Sequence, residues 1–348
     1  MIRVGICGIG FMGWIHYLAY RRVRGVKLVA VSDPIQRRLA GDWRDIKGNF
    51  GPPGEMVDLS GVARYSDYHD LFADPNVDLV DLCLPPAMHA AAAVAAAQAG
   101  KHVLCEKPMA LTTADCRRMV EAAEKARRLL CIGHVLQFFP EYACAIKLIR
   151  SGKYGQLLGG TFKRVISDPV WMKDFYDPNR CGGPLIDLHI HDAHLIRLLF
   201  GMPTGLVSCG RMHGEVVGYC QTQFQFSDPT LVVSATSGVI QQQGRVFTHG
   251  FEMHLEKATL HYEFAALADR PEGETMPLKV LTAKGDVVRP QLGDVDSITA
   301  FAAEITEVVR TIKANRPSAL LDGDLARDAI ILCHKQTESV KKGRPVRI

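Results

Sequence analysis

The first 33 residues contain the pattern that most restricts how this chain can fold. A short apolar run at residues 2–7 leads into the glycine loop GIGFMG at residues 8–13. A helical stretch then precedes a second apolar run, which ends at Asp33. The first glycine of such a loop allows a tight turn, the second leaves room for a pyrophosphate, and the third lets helix and strand pack closely. The order strand, glycine loop, helix, strand and acid predicts a dinucleotide-binding βαβ unit.

Asp33 indicates which dinucleotide is bound. It lies about 20 residues beyond the last glycine, where a carboxylate accepts hydrogen bonds from the adenosine ribose. A carboxylate at this place repels a 2′-phosphate, which favours NAD over NADP. Arg37 and Arg38 follow closely enough to weaken that preference, so NADP stays an alternative. The residues expected to contact the cofactor in this unit are Gly8, Gly10, Phe11, Met12, Gly13 and Asp33.

Strand-like and helix-like stretches continue to alternate after this unit. VDLVDLCLP (77–85) and HVLCEKP (102–108) are typical of buried strands, and helical stretches follow at 88–100 and 112–128. This alternation predicts a doubly wound parallel sheet, whose ligands bind outside the carboxyl ends of the strands. The residues at these strand ends that we expect in the cofactor site are Pro85, His89, Glu106 and Lys107.

The pattern changes in the second part of the chain. Period-2 runs such as LGGTFKRVIS (158–167) follow one another with short Gly, Pro or Asp turns, which indicates an antiparallel sheet. Two helical stretches, roughly 296–314 and 322–342, end the chain. We predict an α/β protein with an N-terminal Rossmann domain (1–130), built on a doubly wound parallel sheet. The C-terminal α/β domain (131–348) is predicted to carry a large, mostly antiparallel open sheet.

Residues 182–201, GGPLIDLHIHDAHLIRLLFG, place several ionisable side chains in an apolar stretch. On an α-helix with about 100° per residue, Asp187, His191 and His194 fall on one narrow face. Apolar side chains occupy most of the remaining surface, which predicts a helix buried on most sides. The three polar residues are therefore expected to act together.

Three interpretations of this face are open. An Asp–His pair could satisfy its own hydrogen bonds in a core. Two histidines and a carboxylate also resemble a metal-binding facial triad. Alternatively, an imidazole oriented by a carboxylate could handle the hydroxyl proton during hydride transfer.

Proton handling is the interpretation that the rest of the chain favours. We expect His191 to be the acid or base, while Asp187 orients it or binds a neighbouring substrate hydroxyl. Lys107 would stabilise the developing alkoxide, and the roles of Lys107 and His191 can be exchanged. Hydride transfer beside a lysine needs no ion, so no metal is expected.

Other polar residues around this helix are assigned by position. His189 and Asp192 point away from the polar face, and we expect both to be structural, His189 as a buried and hydrogen-bonded side chain. The preceding segment, SDPVWMKDFYDPNRCGG, has the composition of a long functional loop. The residues expected to contact the substrate are Lys107, Lys163, Trp171, Asp187, His191 and His194.

Taken together, these motifs resemble a known family. The glycine loop, then P-x-x-x-H (85–89), E-K-P (106–108) and G-G-x-x-x-D-x-x-x-H (182–191), are similar to the Gfo/Idh/MocA oxidoreductases, the glucose-fructose oxidoreductase and inositol 2-dehydrogenase family. The resemblance implies a Rossmann domain followed by an α/β domain. It also implies hydride transfer between NAD(P) and a hydroxyl or keto carbon of a sugar, inositol or similar polyol. The family's catalytic lysine falls on Lys107, and its Asp and His fall on Asp187 and His191.

Two other functions fit the same motifs. Some members of the family are glycosidases, and a glycosidase or lyase could use bound NAD for transient oxidation of its substrate without net redox change. A non-catalytic NAD-binding regulator is the second alternative. The presence of Lys107, Asp187 and His191 argues against the regulator, because a sensor does not need all three.

Composition restricts partners and compartment. The chain carries 41 Lys+Arg against 37 Asp+Glu, scattered along its length, which indicates neither a nucleic-acid nor a membrane partner. Its 10 cysteines lack metal-type spacing and indicate reduced thiols in the cytoplasm. No apolar stretch reaches the length of about 18 residues that a membrane span needs. The family resemblance also implies that the protein forms a homodimer or homotetramer through the C-terminal sheet.

Overall fold

A computed structural model describes residues 1–293 and 296–348, which divide into two compact units. The first unit comprises Met1–Phe138 and Asp294–Arg327, and the second comprises Phe139–Gly293 and Asp328–Ile348. The division therefore differs from a single boundary after residue 130, because a later segment of the chain returns to the first unit.

The first unit is built on a six-stranded parallel sheet. Its elements alternate along the chain: β1 (Ile2–Cys7), α1 (Phe11–Tyr20), β2 (Val26–Ser32), α2 (Gln36–Leu39), β3 (Ala63–Tyr65), α3 (Tyr68–Ala73), β4 (Leu79–Leu82), α4 (Pro86–Gln98), β5 (His102–Glu106), α5 (Thr113–Ala126) and β6 (Leu130–Gly133). A 3-10 turn at Val135–Phe138 follows. The strand order is β3-β2-β1-β4-β5-β6, and the pairs are parallel. The predicted doubly wound Rossmann sheet is confirmed.

Strands β1 and β4 lie at the centre of this sheet, where the strand order reverses. Both are buried along almost their whole length, as expected for strands covered on both faces. Ligands of such sheets bind beside the carboxyl ends of the strands at this reversal. The one charged residue in β4, Asp81, is fully buried, so it needs a partner inside the unit.

The second unit carries a nine-stranded sheet. In chain order its elements are α6 (Pro140–Arg150), β7 (Leu157–Ser167), a π-helical turn (Leu185–His189), α7 (Ile190–Phe200), β8 (Gly205–His213), β9 (Val216–Gln225), β10 (Val232–Ile240), β11 (Arg245–Leu255), β12 (Ala258–Leu267), β13 (Arg270–Thr282) and β14 (Val287–Val288). The strand order is β14-β13-β12-β11-β7-β10-β9-β8-β15, where β15 is Val346–Arg347. Strands β7 and β10 pair in parallel, and the remaining pairs are antiparallel. The predicted, mostly antiparallel sheet is confirmed.

Two helices near the end of the chain were also predicted, and both are present. Helix α8 (Ser297–Ala314) belongs to the first unit, where Phe301 stacks on Phe50 with ring centroids 5.7 Å apart. Helix α9 (Gly323–Lys342) begins in the first unit and continues in the second. Among the described helices we find none whose length and apolar character would let it span a lipid bilayer.

Candidate active site

The glycine loop between β1 and α1 has the geometry that a pyrophosphate requires. Gly8 has a φ of 91°, and a side chain on Gly13 would collide with the carbonyl oxygen of Gly8. The space beside Gly10 is open, since a Cβ there would meet nothing within 4 Å. Helix α1 begins at Phe11 with no side-chain cap, so the N–H groups of Phe11 and Met12 are available to an anion. The loop fits the cofactor that the sequence predicts.

Asp33, at the end of β2, is tied to the same loop. Its Oδ2 accepts a hydrogen bond from the Ile9 N–H at 2.8 Å, and its Oδ1 accepts one from the Ile35 N–H, also at 2.8 Å. Each carboxylate oxygen has a second lone pair, so the buried carboxylate can still accept a ribose hydroxyl. Its position is compatible with the predicted ribose contact.

The two arginines after Asp33 share an acidic partner. Arg37 Nη2 lies 2.8 Å and Arg38 Nη2 lies 3.0 Å from Oδ2 of Asp45, while Arg38 Nη1 lies 3.7 Å from the Asp33 carboxylate. The hydrogen bond from Arg38 is the main cause of the lowered pKa of Asp45. Both guanidinium groups are therefore engaged beside the expected ribose position.

The turn Glu106-Lys107-Pro108 follows β5 at the carboxyl edge of the sheet. Lys107 is half-buried, and its backbone N–H donates to Oε2 of Glu106 at 3.0 Å. The fully buried His89 supports the same turn, with Nδ1 2.8 Å from the carbonyl oxygen of Pro108 and Nε2 2.8 Å from that of Leu84.

These contacts change what is expected of the strand-end residues. Glu106 and His89 are buried and hold the backbone of the turn. The prediction that these two contact the cofactor directly is therefore not supported. Pro85 is exposed as the N-cap residue of α4 and stays a predicted cofactor contact. Lys107 is the residue of this turn that reaches the surface.

In the second unit, Asp187 and His191 lie where the π-helical turn passes into α7. A regular α-helix across residues 182–201 was predicted, so the observed start at Leu185 and the π-helical first turn are a correction. Such turns are rare in proteins, and those that occur often lie at functional sites. Asp187 and His191 are both half-buried, which leaves part of each side chain accessible.

His194 does not share this accessibility. It is 0% exposed, and burial together with the charge of Arg197 lowers its pKa to about 3. A neutral imidazole in the interior is a structural side chain, so the predicted substrate contact of His194 is not supported. The polar face predicted for this helix is thereby reduced to Asp187 and His191.

His189 and Asp192 are structural, as predicted. His189 is fully buried and accepts a hydrogen bond at Nε2 from the Gln336 amide at 3.0 Å, and burial lowers its pKa to about 3. Asp192 accepts two hydrogen bonds from the buried Arg164, at 2.8 and 3.1 Å. This ion pair fixes α7 on one face of the sheet.

Lys163 lies on the opposite face of that sheet. Neighbouring residues of a strand point to opposite faces, and Arg164 points to α7. The Lys163 ammonium instead pairs with Glu263 at 3.3 Å, across the gap left by Gly250. This placement does not support the predicted contact of Lys163 with a substrate beside α7, and the contact stays a prediction. Trp171 is 67% exposed in the loop before the helix, and its substrate contact stays a prediction.

One cluster in the first unit was missed by the sequence analysis. His16, Asp81 and Cys83 bring potential metal-ligand atoms within 4.8 Å of one another, and among the described residues they form the one such group. The spacings are those of hydrogen bonds, with His16 Nδ1 2.8 Å from Asp81 Oδ2, and burial raises the pKa of the Cys83 thiol to about 12. The available signal was a histidine on the otherwise apolar face of α1.

The chain matches two domain models of one family. Residues 2–134 match the model described as oxidoreductase family, NAD-binding Rossmann fold, and residues 142–261 match the GFO/IDH/MocA C-terminal domain. The fold and the glycine loop thus define an oxidoreductase-type NAD-binding protein of two α/β units. The chain belongs to the Gfo/Idh/MocA family, which confirms the resemblance.

Several curated proteins are similar in sequence. Myo-inositol 2-dehydrogenase of Thermotoga maritima is 32% identical over 203 residues, which cover 58% of this chain and 55% of that protein. Inositol 2-dehydrogenase 1 of Saccharopolyspora erythraea is 29% identical over 260 residues, or 73% and 71% of the two chains. Levoglucosan dehydrogenase of Pseudarthrobacter phenanthrenivorans is 31% identical over 58% of this chain and 51% of its own. The matched region spans about half the length of the first and third of these relatives.

Solved structures share the fold over the full chain. A levoglucosan dehydrogenase in complex with NADH and L-sorbose has a TM-score of 0.82 at 20% identity, covering 100% of this chain and 98% of its own. An oxidoreductase from Agrobacterium radiobacter in complex with NAD+, L-tartaric acid and magnesium has a TM-score of 0.80 at 19% identity, covering 99% and 98%. At these identities the likeness establishes the fold.

Proposed function

We propose that this protein is an NAD-dependent dehydrogenase or reductase, acting on a hydroxyl or keto carbon of an inositol, a sugar or a similar polyol. The observation that carries the proposal is the position of Lys107, which directly follows β5 at the sheet edge that also bears the glycine loop and Asp33. Ligands of doubly wound sheets bind along this edge. The names of the inositol and levoglucosan dehydrogenases support a polyol substrate.

In the proposed reaction, bound NAD supplies the hydride acceptor. The imidazole of His191 takes the proton of the substrate hydroxyl, because histidine is the side chain best suited to proton transfer near neutral pH. The Asp187 carboxylate orients His191 or binds a neighbouring hydroxyl. The Lys107 ammonium stabilises negative charge as it develops on the substrate oxygen. The exposed ring of Trp171 adds a face for the sugar.

Assembly and compartment are further parts of the proposal. The sheet face opposite α7 presents partly exposed polar side chains such as Thr161, Lys163 and Gln221, and a second copy could cover it. We therefore expect a homodimer or homotetramer through this sheet, measurable by light scattering. The 10 cysteines, which the sequence predicts to be reduced thiols, suit a reducing cytoplasm.

The test of the activity is a spectrophotometric assay. The protein is incubated with NAD and a panel of inositols and sugars, and absorbance of the reduced cofactor is followed. Reduction that disappears in Lys107→Ala and in His191→Ala supports the proposal. Cleavage of a glycoside without net reduction of NAD would contradict the proposal and indicate transient oxidation of the substrate. NAD binding without turnover of any substrate would contradict it and indicate a regulator.

A further inference from the structure

The first unit contains a buried polar network around His16. None of the catalytic roles proposed above uses this network. His16 lies on α1 and is fully buried. Its Nδ1 is 2.8 Å from Asp81 Oδ2, and its Nε2 is 2.9 Å from Glu106 Oε1. A carboxylate accepts hydrogen bonds only, so an imidazole between two carboxylates needs a proton on each nitrogen. The geometry is that of an imidazolium between two anions.

The surroundings of His16 agree with this charge state. Burial is the largest single influence and opposes the cation, but the charges and hydrogen bonds of Asp81 and Cys83 together leave the pKa of His16 well above its usual value. The Cys83 thiol lies 3.6 Å from Nδ1. Tyr20, on the same helix, faces Asp81, and its pKa is raised by burial and then by that charge.

Helix α8 adds another carboxyl group to this interior. Glu304 is fully buried, and neither of its oxygens has a hydrogen-bond partner among the residues that the structure describes. Burial, followed by the charge of Glu106, holds the pKa of Glu304 well above the usual range. His16 thus supplies positive charge where three carboxyl groups from β4, β5 and α8 meet.

The network ends at the turn that carries Lys107. Glu106 uses Oε1 to accept from His16 and Oε2 to accept from the Lys107 N–H at 3.0 Å. A continuous set of hydrogen bonds therefore runs from Asp81 through His16 and Glu106 to the Lys107 backbone. We propose that His16 is a positioning residue, a buried cation between Asp81 and Glu106 that fixes the turn presenting Lys107 to the substrate. The inference rests on the proposed function, in which Lys107 acts on the substrate.

Loss of the cation should displace Lys107. Without His16, the buried side chains of Asp81 and Glu106 lose the positive partner that lies between them, which favours rotation of the Glu106 side chain away from its present position. The Lys107 N–H then loses its acceptor. A displacement of about 1 Å at a catalytic group can reduce the rate on the order of 100-fold.

The first experiment compares His16→Gln with a matched control in the full chain. We expect His16→Gln to lower kcat/KM by about 100-fold, mostly through kcat, while the Kd for NAD measured by fluorescence is unchanged. His102→Gln makes the same replacement at the start of β5, where His102 accepts a hydrogen bond from the Leu129 N–H, and it should leave kcat/KM unchanged. A His16→Gln enzyme with the turnover of the natural protein would overturn the proposal.

A second variant separates charge from packing. Adding Asp81→Asn to His16→Gln removes one uncompensated carboxylate, so the double variant should recover about 10-fold of the lost kcat/KM. If His16 only fills space, the second substitution lowers activity further and contradicts the proposal.

Two measurements do not depend on turnover. Nitrogen-15 NMR of labelled histidine should show His16 protonated on both ring nitrogens throughout the neutral pH range above the ordinary histidine pKa near 6.5. Deprotonation in that range, or a stoichiometric bound metal ion, would contradict the proposal. The signal of carbon-13-methylated Lys107, assigned with Lys107→Arg, should shift in His16→Gln and not in His102→Gln. If no polyol is oxidised, the proposed function fails while these two measurements still decide the role of His16.

Discussion

At the scale of single residues, Lys107 and His191 are the side chains expected to handle charge on the substrate. Replacing either by alanine should lower kcat/KM by about 100- to 10,000-fold, the usual contribution of acid–base and electrostatic catalysis. The Kd for NAD should change little in His191→Ala, because the glycine loop and Asp33 are untouched. Steady-state kinetics combined with calorimetric titration of NAD checks both statements.

Lys163 provides the matched lysine control. Its ammonium pairs with Glu263 on the sheet face opposite α7. Lys163→Ala should therefore retain kcat/KM within about 2-fold, since exposed ion pairs contribute little. A loss comparable to that of Lys107→Ala would return Lys163 to the substrate site and contradict the assignment made from strand alternation.

The buried histidines of α7 and its first turn predict acid sensitivity. His189 and His194 each have a pKa of about 3 in the folded chain, against about 6.5 when unfolded. Between these values the unfolded chain binds protons that the folded chain does not. The free energy of unfolding therefore falls as pH falls below about 6.5, by about 1.4 kcal/mol per pH unit for each histidine.

Urea unfolding at about pH 7 and about pH 5 measures this dependence. His194→Gln should have a shallower pH dependence than the natural protein, because one of the two protons is no longer taken up on unfolding. His254→Gln, at a partly exposed position on β11, should have an unchanged dependence. If the free energy of unfolding depends on pH equally in all three proteins, His194 takes up no additional proton on unfolding, which would contradict the prediction.

Residue type and spacing were enough to predict some of these roles. His189 and Asp192 were assigned to the interior because their direction on a helix differs from that of Asp187, and a π-helical turn did not alter this conclusion. His16 and His89 were not predicted to support the turn after β5. Their partners, Glu106 and Pro108, are distant in sequence, and only the packing of α1 and α4 against the sheet brings them together.

At the scale of elements, α2 and the segment that follows it are expected to influence which dinucleotide is bound. Arg37 and Arg38 are both engaged by Asp45, whose carboxylate offsets part of their charge beside the ribose position. Asp45→Asn should free them for a 2′-phosphate and lower the Kd for NADP by about 10-fold, equivalent to about 1.4 kcal/mol. Fluorescence titration with NAD and NADP gives the ratio of the two dissociation constants.

Asp42→Asn is the control within the segment that follows α2. Asp42 pairs with Arg44 at 2.9 Å, and among the causes of its lowered pKa the charge of Arg37 is the smallest. The NAD to NADP ratio should not change in this variant. If Asp42→Asn shifts the ratio as much as Asp45→Asn, general electrostatics rather than the Asp45 pairing sets the preference.

Long periodic elements were predictable, and short or irregular ones were not. The central strands of the Rossmann sheet and both late helices follow hydrophobic periodicity, which survives in any tertiary context. Strand β3 has 3 residues and α2 has 4, too few for a period to be recognised. The π-helical turn at Leu185–His189 was missed because a regular helix was assumed from the spacing alone.

At the scale of the whole molecule, sequence order did not predict which unit receives α8. The helix follows the strands of the second sheet in the chain, yet its apolar face packs in the first unit. Phe301 stacks on Phe50, and Asp296 accepts two hydrogen bonds from Arg22 at 2.6 and 2.7 Å. Hydrophobic periodicity shows that an amphipathic helix packs against an apolar surface, but it does not show which surface. The sequence pattern therefore could not predict which unit contains α8.

Because α8 belongs to the first unit, we expect the minimal nucleotide-binding fragment to need this helix. Residues 1–138 alone should bind the dye ANS and unfold without cooperativity, because the surface of α1 and Phe50 that meets α8 is exposed. Joining residues 1–138 to 296–327 through a flexible Gly/Ser linker should restore a cooperative urea transition and binding of NAD. The restored contacts include the Phe301–Phe50 stack, and removing a buried aromatic ring costs about 3–5 kcal/mol.

Phe301→Ala in the linked fragment isolates the role of α8. The free energy of unfolding of the variant should fall by about 3–5 kcal/mol. Where the variant is folded, its affinity for NAD should be unchanged. The glycine loop and Asp33 are distant from Phe301 in sequence and share no contact with it among those described. If residues 1–138 fold cooperatively and bind NAD without α8, the helix is an accessory to the first unit rather than part of its core. The fragment comparison therefore decides whether the nucleotide-binding unit is continuous in sequence or completed by a segment located after the second sheet.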